Sequence, residues 1–198
     1  MPEKITVLKD KILIICWASF SELLINTSKA WEHLKRLSGG RKTPIFKATV
    51  LSILFAGLVN FIGVSFVETD MDIFTGIKSG VTIIFSLFIS VYISFFINII
   101  ALESITKKEA KLSELFNFTA LLYSLPFLIY ALEPILSLVF FYKIFLIYTF
   151  YIAWIGTEHF IEVPNDNRAV FTTISGISVI FTPIVISKIL TLLMPGLT

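Results

Sequence analysis

The stretch IKSGVTIIFSLFISVYISFFINIIAL, residues 77–102, decides the fold class of this chain. Its only charged residue is Lys78, and it exceeds the about 20 residues that a helix needs to cross ~30 Å of hydrocarbon. Similar apolar runs occupy residues 45–67, 115–132, 135–155 and 170–194. Backbone amides find no water in lipid, so each run must be helical to satisfy its hydrogen bonds. The sequence therefore predicts an all-α membrane protein with five transmembrane helices.

The composition excludes several other classes of protein. Hydrophobic residues make up 56% of the chain, whereas they form at most about half of a soluble domain. Patterns typical of hydrolases and metalloproteases, such as GxSxG and HExxH, do not occur. Aromatic residues are plentiful, but they lack the basic stripe of a nucleic-acid platform. We expect one membrane domain, residues 44–198, that is not an enzyme, needs no cofactor or metal, and binds no nucleic acid.

The basic residues predict how the chain is threaded. Lys47 and Lys78 lie at the very start of their spans and are counted with the adjoining loops. When loops are assigned to alternate sides, every counted Lys and Arg except Lys78 falls on the side of the N-terminus. Lys143 and Lys188 lie within predicted spans and are left out of this comparison. Because basic loops tend to stay in the cytoplasm, we expect the N-terminus inside and the C-terminus outside.

Residues 1–43 are expected to form a separate cytoplasmic segment. Within it, residues 11–25 can form an amphipathic helix with Trp17, Phe20 and Leu24 on one face. Such a helix is too short to span and is typical of helices that lie in the lipid headgroups. The neighbouring lysines favour anionic lipids, each by roughly 1 kcal/mol near the surface. The same apolar face could instead pack against the membrane domain, and both arrangements stay open.

A second short helix is predicted over residues 29–37. The preceding Asn26-Thr27-Ser28 offers side-chain oxygens for capping. Trp31 on this helix is interpreted as an anchor at the membrane interface. Pro44 is expected in the first turn of the first span, where a missing N–H is harmless.

Prolines shape the predicted spans. Only Glu133-Pro134 joins the third and fourth spans, which predicts a tight helical hairpin whose proline ends the incoming helix. Pro126 in the third span and Pro183 in the fifth predict kinks. Membrane helices tolerate such kinks when neighbouring groups bind the freed carbonyls.

Small polar residues recur at every fourth position of the second span and share one helix face: Ser86, Ser90, Ser94 and Asn98. The fifth span carries a similar set, Ser175, Ser178 and Thr182, so the two faces are expected to meet. Such faces usually allow close packing, with interhelical hydrogen bonds worth ~0.6 kcal/mol each on average. The alternative is a polar path for a small solute, as in a channel or transporter.

Lys143 lies well inside the fourth predicted span, where a lysine costs ~3 kcal/mol on insertion scales. No carboxylate lies at a similar depth in the sequence. We therefore expect its side chain to extend to the outer edge of the membrane, toward Glu133. The alternative is a functional role for Lys143 in the solute path.

Polar residues also gather where the fourth span meets the cytoplasm: Glu158, His159, Glu162 and Asp166. His159 and Glu162 would share a helix face, so a metal site, and with it an enzyme, is an alternative. A hydrated helix end is much commoner, and we adopt that interpretation.

Three further stretches resemble a known family of membrane proteins. They are NTSKAW at residues 26–31, YSLP from Tyr123 to Pro126, and YTFYIAWIG at residues 148–156. With the Glu133-Pro134 hairpin, a short polar loop and a last span, their order resembles the Yip (Ypt-interacting protein) family of five-span membrane proteins, in particular its short bacterial members. The resemblance covers about residues 25–194 and implies the same threading as the charge pattern.

The resemblance also carries expectations about function. Eukaryotic members are associated with Rab GTPases, vesicle traffic and membrane shaping. Their Asp-Leu-Tyr-Gly-Pro signature is absent here, which argues against small-GTPase binding and for a protein of the bacterial cytoplasmic (inner) membrane. The family supplies no catalytic residue. We expect an interaction scaffold or membrane-organising component whose residues 1–43 contact anionic lipids, with other membrane proteins or a second copy as further partners.

Overall fold

The computed structural model describes residues 22–38, 43–68, 72–107, 109, 111–136 and 142–193. The helices are α1 (Thr27–Ser38), α2 (Thr43–Gly63), α3 (Ile73–Thr106), α4 (Leu112–Leu122), α5 (Ser124–Leu136), α6 (Tyr148–His159) and α7 (Asn165–Leu193). A π-helical turn, Val64–Glu68, extends α2, and a 3-10 helix, Tyr142–Ile147, precedes α6. The described residues contain no strand, so the prediction of an all-α protein is confirmed for them.

Four helical stretches are long and apolar enough to cross a membrane: Ile45–Phe66, Ile73–Thr106, Leu112–Pro134 and Asn165–Leu193. They correspond to the first, second, third and fifth predicted spans. The described part of the fourth predicted span forms the 3-10 helix and the 12-residue α6. Residues 137–141 lie outside the described part of the chain. The fifth crossing therefore stays a prediction.

The third predicted span forms the centre of the bundle. In the stretch Leu112–Pro134, 89% of the residues in its apolar window of 18 consecutive residues are buried. The corresponding share is 39% to 44% in the other three stretches. Around it, α3 packs against α2 and α7, and α2 packs against α5. Phe85, Phe96 and Ile100 on the outer face of α3 stay exposed, as expected for a helix whose outer face meets equally apolar lipid tails.

Helices α2 and α3 cross at a very short distance. A Cβ atom at Gly80 would lie 2.8 Å from the Gly57 carbonyl oxygen, so only glycine fits at this crossing. Gly76, one turn earlier on α3, also lies against the α2 backbone. Beside them, Ser79 Oγ donates to Asn60 Oδ1 at 2.7 Å. Gly76 and Gly80 form a GxxxG pattern, which is typical of close helix pairs in membranes.

The third predicted span is interrupted at Tyr123, which separates α4 from α5. Pro126 explains the interruption, because its ring lacks an N–H and would clash with the carbonyl of Leu122 four residues earlier. The helical pattern resumes where the Phe127 N–H donates to the Tyr123 carbonyl at 2.9 Å. A distortion predicted from Pro126 is therefore present. In contrast, α7 continues as one helix through Pro183, and the kink predicted there stays a prediction.

The prediction that Pro134 ends the incoming helix is wrong. Helix α5 continues through Pro134 to Leu136. A proline removes one backbone hydrogen bond, and near the end of a helix the packing of a buried ring can offset that loss; Pro134 is buried here. The tight hairpin itself involves residues 137–141, outside the described residues, and stays a prediction.

The N-terminal part of the structure corrects a second prediction. The amphipathic helix predicted for residues 11–25 falls mainly on residues outside the described part, although residues 22–25 are helical. The second predicted helix is confirmed as α1. Its Trp31 is fully buried in the protein core, so the interpretation of this residue as an interface anchor is wrong. Protein, rather than lipid headgroups, covers the apolar face of α1.

Candidate functional site

Helix α1 is docked on the membrane bundle through Trp31. The indole Nε1 donates to the Ile152 carbonyl of α6 at 3.1 Å. The ring stacks on Phe118 with 5.6 Å between centroids and meets Phe160 edge-on at 5.3 Å. Gly156 makes room for it, since a Cβ atom there would lie 2.6 Å from Trp31 Cζ2. Both the shape and the hydrogen bonding of this site thus fix the position of α1.

The chain bends at Asn26, just before α1. Glu22 Oε2 lies 3.6 Å from His33 Nδ1, although a straight helix would place the two Cα atoms roughly 16 Å apart. At the bend, the Leu24 carbonyl accepts a hydrogen bond from the Tyr148 hydroxyl at 3.3 Å. The start of the described chain therefore bends toward α1 and is tied to α6.

Lys35 holds the other end of α1 against the loop after α6. Its Nζ lies 2.6 Å from Glu162 Oε1 and donates to the His159 carbonyl at 3.1 Å. Glu162 has a φ of 59°, a left-handed conformation that residues other than glycine rarely adopt. The hydrogen bond from Lys35, together with its positive charge, lowers the pKa of the Glu162 carboxyl below its usual value.

One end of the bundle gathers segments that lie far apart in the sequence. Besides the Lys35 contacts, Asn167 Nδ2 at the start of α7 donates to the Ile105 carbonyl near the end of α3 at 3.3 Å. A cavity of about 390 Å³ lies between α1, the loop after α3 and the loop after α6. Apolar residues and five charged ones line it: Lys35, Glu109, Lys111, Glu114 and Glu162. This charged end is the candidate functional site.

The polar residues near the end of α6 are engaged in separate contacts. Arg168 Nη1 lies 3.0 Å from Glu158 Oε2, and His159 Nε2 lies 3.3 Å from Ser28 Oγ. Glu162 is paired with α1. Within the part of the chain that the structure describes, no three His, Cys, Asp or Glu side chains are arranged to hold a metal ion. The residues of the alternative metal site are therefore not brought together.

A second polar cluster lies inside the bundle, where α3, the break between α4 and α5, and α7 meet. The hydroxyl oxygens of Ser94, Tyr123 and Thr182 lie 2.8 to 3.0 Å from one another. Ser94 and Tyr123 are fully buried. The expected meeting of the polar faces of the second and fifth spans is thus observed, and Tyr123 joins it from the third.

Asn98 and Ser86 on the same α3 face bond to neighbouring helices. Asn98 Nδ2 donates to Thr119 Oγ1 at 2.9 Å, and Asn98 Oδ1 accepts from Ser175 Oγ at 2.9 Å. Ser86 Oγ donates to the Pro183 carbonyl at 3.0 Å. Ser90 lies between them on the same face. None of Ser86, Ser90, Ser94 and Asn98 is more than 1% exposed, so in the structure this face is packed.

Lys143 is separate from this cluster. Its Nζ lies 2.7 Å from Glu133 Oε1, the partner expected from the sequence. The lysine side chain is 59% exposed, so the pair lies on the surface. Glu133 follows Tyr123 by ten residues, about 15 Å of helix. The structure therefore does not combine Lys143 and the buried polar face in one site.

The stretches that carried the sequence resemblance all lie at contacts between helices. Residues 26–31 dock on residues 148–156, and Tyr123 joins the buried polar cluster just before Pro126. The model of one protein family, described as the Yip1 domain, matches residues 21–195. The chain belongs to the Yip1 domain family. The matched part of this Yip1 domain includes α1 and extends past the end of α7. No curated protein and no solved structure matches the chain.

The sequence pattern did not identify three residues that lie at the contacts and the cavity of this Yip1 domain described above. Gly156 lies within an apolar run, where a glycine signals close approach of another group, but nothing indicated that Trp31 was that group. Lys35 and Glu109 lie among other charged residues, and their cavity exists only once three distant segments meet. The spacing of residues along one helix cannot reveal a cavity that is formed by three distant segments.

Proposed function

We propose that this Yip1 domain protein is a non-enzymatic interaction scaffold, or a membrane-organising and trafficking-related component, of the bacterial cytoplasmic (inner) membrane. Its N-terminus lies inside and its C-terminus outside in this proposal. Family membership, the four apolar helices and the charged end of the bundle support it.

The observation that carries the proposal is the gathering of α1, the loop after α3 and the loop after α6 at one end of the molecule. Each is a segment that the positive-inside rule assigns to the cytoplasm. Lys29, Glu32 and Arg36 on α1 are exposed, while Trp31 fixes the helix from its other face. A preformed charged surface reduces the entropy cost of binding a partner, as a scaffold requires.

The partners that fit this surface follow from its charges. Anionic lipids suit the basic residues of the N-terminal segment. Other membrane proteins, or a second copy of this chain, suit the mixed charges of α1. Nucleic acid and small GTPases are not part of the proposal, because the sequence lacks a basic aromatic stripe and the signature of GTPase-binding relatives.

Crosslinking followed by mass spectrometry in native membranes tests the proposal by identifying a partner protein. We then expect co-purification of that partner to fall at least about fivefold in a K29Q/E32Q/R36Q variant, because several weak charge contacts are lost together. Lys47→Gln, an exposed lysine at the start of α2, is the matched control. A partner retained equally by the triple variant, or no partner at all, contradicts the proposal. Surface variants are preferred to deletion of residues 1–43, which would remove the buried Trp31.

The alternative function, a small-solute channel or transporter, has no comparable support. The side chains that would line its path are buried against neighbouring helices. Lys143 is paired with Glu133 at the surface.

A further inference from the structure

The cavity at the charged end combines two kinds of lining. Leu102, Leu115 and Phe160 are almost completely buried and form apolar walls. Charged side chains of both signs lie around them. Its volume of about 390 Å³ falls in the range of cavities that hold small ligands. A ligand for this site therefore needs polar groups of both signs and some apolar surface.

The cavity offers one carboxylate that is available to a cation. Glu109 has no hydrogen-bond or ion-pair partner among the described residues. The two other lining carboxylates are engaged, Glu162 with Lys35 at 2.6 Å and Glu114 with Lys111 at 3.4 Å. An ammonium group placed at Glu109 would gain an ion pair without breaking one that the described residues make.

The cavity also offers a cation that is available to an anion. The side chain of Lys111 is 77% exposed, and its contact with Glu114 is long at 3.4 Å. Exposed ion pairs of this kind are worth little, so an incoming phosphate group can compete for the ammonium. Glu109 and Lys111 are two positions apart in the loop after α3. Their Cα atoms therefore lie at most about 7 Å apart, a separation that an ammonium and a phosphate joined by a short linker can span.

We propose that the cavity binds the phosphoethanolamine headgroup of an aminophospholipid, with the ammonium at Glu109 and the phosphate at Lys111. The cavity lies where the apolar helices end and charged loops begin, which is the level of lipid headgroups. Leu112, which follows Lys111, is 51% exposed and gives the acyl chains apolar surface below the headgroup. This inference names a specific lipid and does not depend on the scaffold role or on its protein partner.

Native mass spectrometry of the full chain in detergent micelles tests the proposal. The probes are phosphatidylethanolamine, phosphatidylcholine and phosphatidylglycerol with identical acyl chains at equal concentration. A trimethylammonium group cannot donate hydrogen bonds to Glu109, and a glycerol headgroup carries no cation. We therefore expect bound phosphatidylethanolamine to exceed both other lipids about fivefold. Equal binding of all three lipids overturns the proposal.

Two variants separate the two contacts. Glu109→Gln should abolish the preference for phosphatidylethanolamine over phosphatidylcholine. Lys111→Gln should lower binding of both lipids by a similar factor, because both carry the phosphate. Asp166→Asn and Lys47→Gln change exposed charges outside the cavity lining and should bind as the wild type does. A preference that survives Glu109→Gln, or is lost equally in the controls, contradicts the assignment.

A soluble competitor distinguishes a lipid from a free metabolite with the same headgroup. We expect glycerophosphoethanolamine to displace the lipid only at concentrations far above that of the lipid, because it lacks acyl chains. Displacement at equal concentration would assign the cavity to a soluble ligand and overturn the lipid assignment.

Discussion

Trp31 is the residue on which the attachment of α1 depends. Trp31→Ala is expected to lower the free energy of unfolding by about 3 to 5 kcal/mol, the usual cost of removing a buried aromatic ring. The indole N–H bonded to Ile152 adds to that cost. Gly156→Leu should weaken the same contact from the other side. Thermal unfolding in detergent micelles measures both changes. Trp154→Ala, on the same helix as Gly156 but 41% exposed, is the control, and an equal loss there would contradict this account.

One contact that depends on charge, between Lys143 and Glu133, could be predicted from the sequence, whereas the contact between Trp31 and Gly156, which depends on shape, could not. A lysine within an apolar run requires a carboxylate within reach of its long side chain, and this reasoning led from Lys143 to Glu133. Trp31 lies on an amphipathic helix, and an apolar face has the same pattern whether lipid or protein covers it. The position of Gly156 opposite the Trp31 ring shows that protein, rather than lipid, covers this face.

The pairing of α1 with the loop after α6 should weaken in acid. The pKa of Glu162 is lower in the folded protein than its ordinary value of 4.5. Glu162 therefore favours the folded state at neutral pH, and this contribution is lost as the pH falls from about 4.5 through the lowered value. The effect is small, because the carboxylate is well exposed.

Comparing the wild type with Glu162→Gln measures this effect. The unfolding temperature of the wild type should fall more steeply below the ordinary pKa than that of the variant. Asp166→Asn, an exposed carboxylate in the first turn of α7, should leave the wild-type pH dependence unchanged. Parallel curves for the wild type and Glu162→Gln would show that the ion pair does not hold α1.

At the scale of helices, apolar runs predicted the positions of four stretches, since a helix satisfies all of its backbone hydrogen bonds within one segment in lipid. The runs could not show which helix lies at the centre. The shortest predicted run, residues 115–132, lies within the most buried stretch, Leu112–Pro134. The prediction that Pro134 ends the helix was wrong for a different reason. A proline disfavours a helix through its local geometry, whereas the burial of its ring depends on how the whole bundle packs.

At the scale of the whole molecule, the fifth crossing is the main prediction still to be tested. The Glu133–Lys143 pair and the Lys35–Glu162 pair lie at the two ends of the segment that contains the 3-10 helix and α6. Six residues at ~2.0 Å and twelve at ~1.5 Å give about 30 Å, close to the thickness of the hydrocarbon layer. We expect this segment to cross the membrane even though only part of it is α-helical.

Single cysteines test the crossing. In a Cys16→Ser background, which removes the only natural cysteine, a membrane-impermeant thiol reagent should label Thr198→Cys in intact cells. Asp166→Cys should be labelled only after permeabilisation. The reverse pattern would mean that the chain crosses four times, or that its orientation is inverted.

The docking of Trp31 also sets an order of events during synthesis. The ring bonds to a carbonyl 121 residues later in the chain, so α1 cannot reach its final position until the ribosome has made α6. At about 5 to 20 residues per second, the delay is roughly 6 to 24 s. Throughout that time α1 lacks the protein surface that covers its indole ring in the finished fold. A chaperone or lipid that covers the Trp31 ring during this delay must be released before α1 packs against α6.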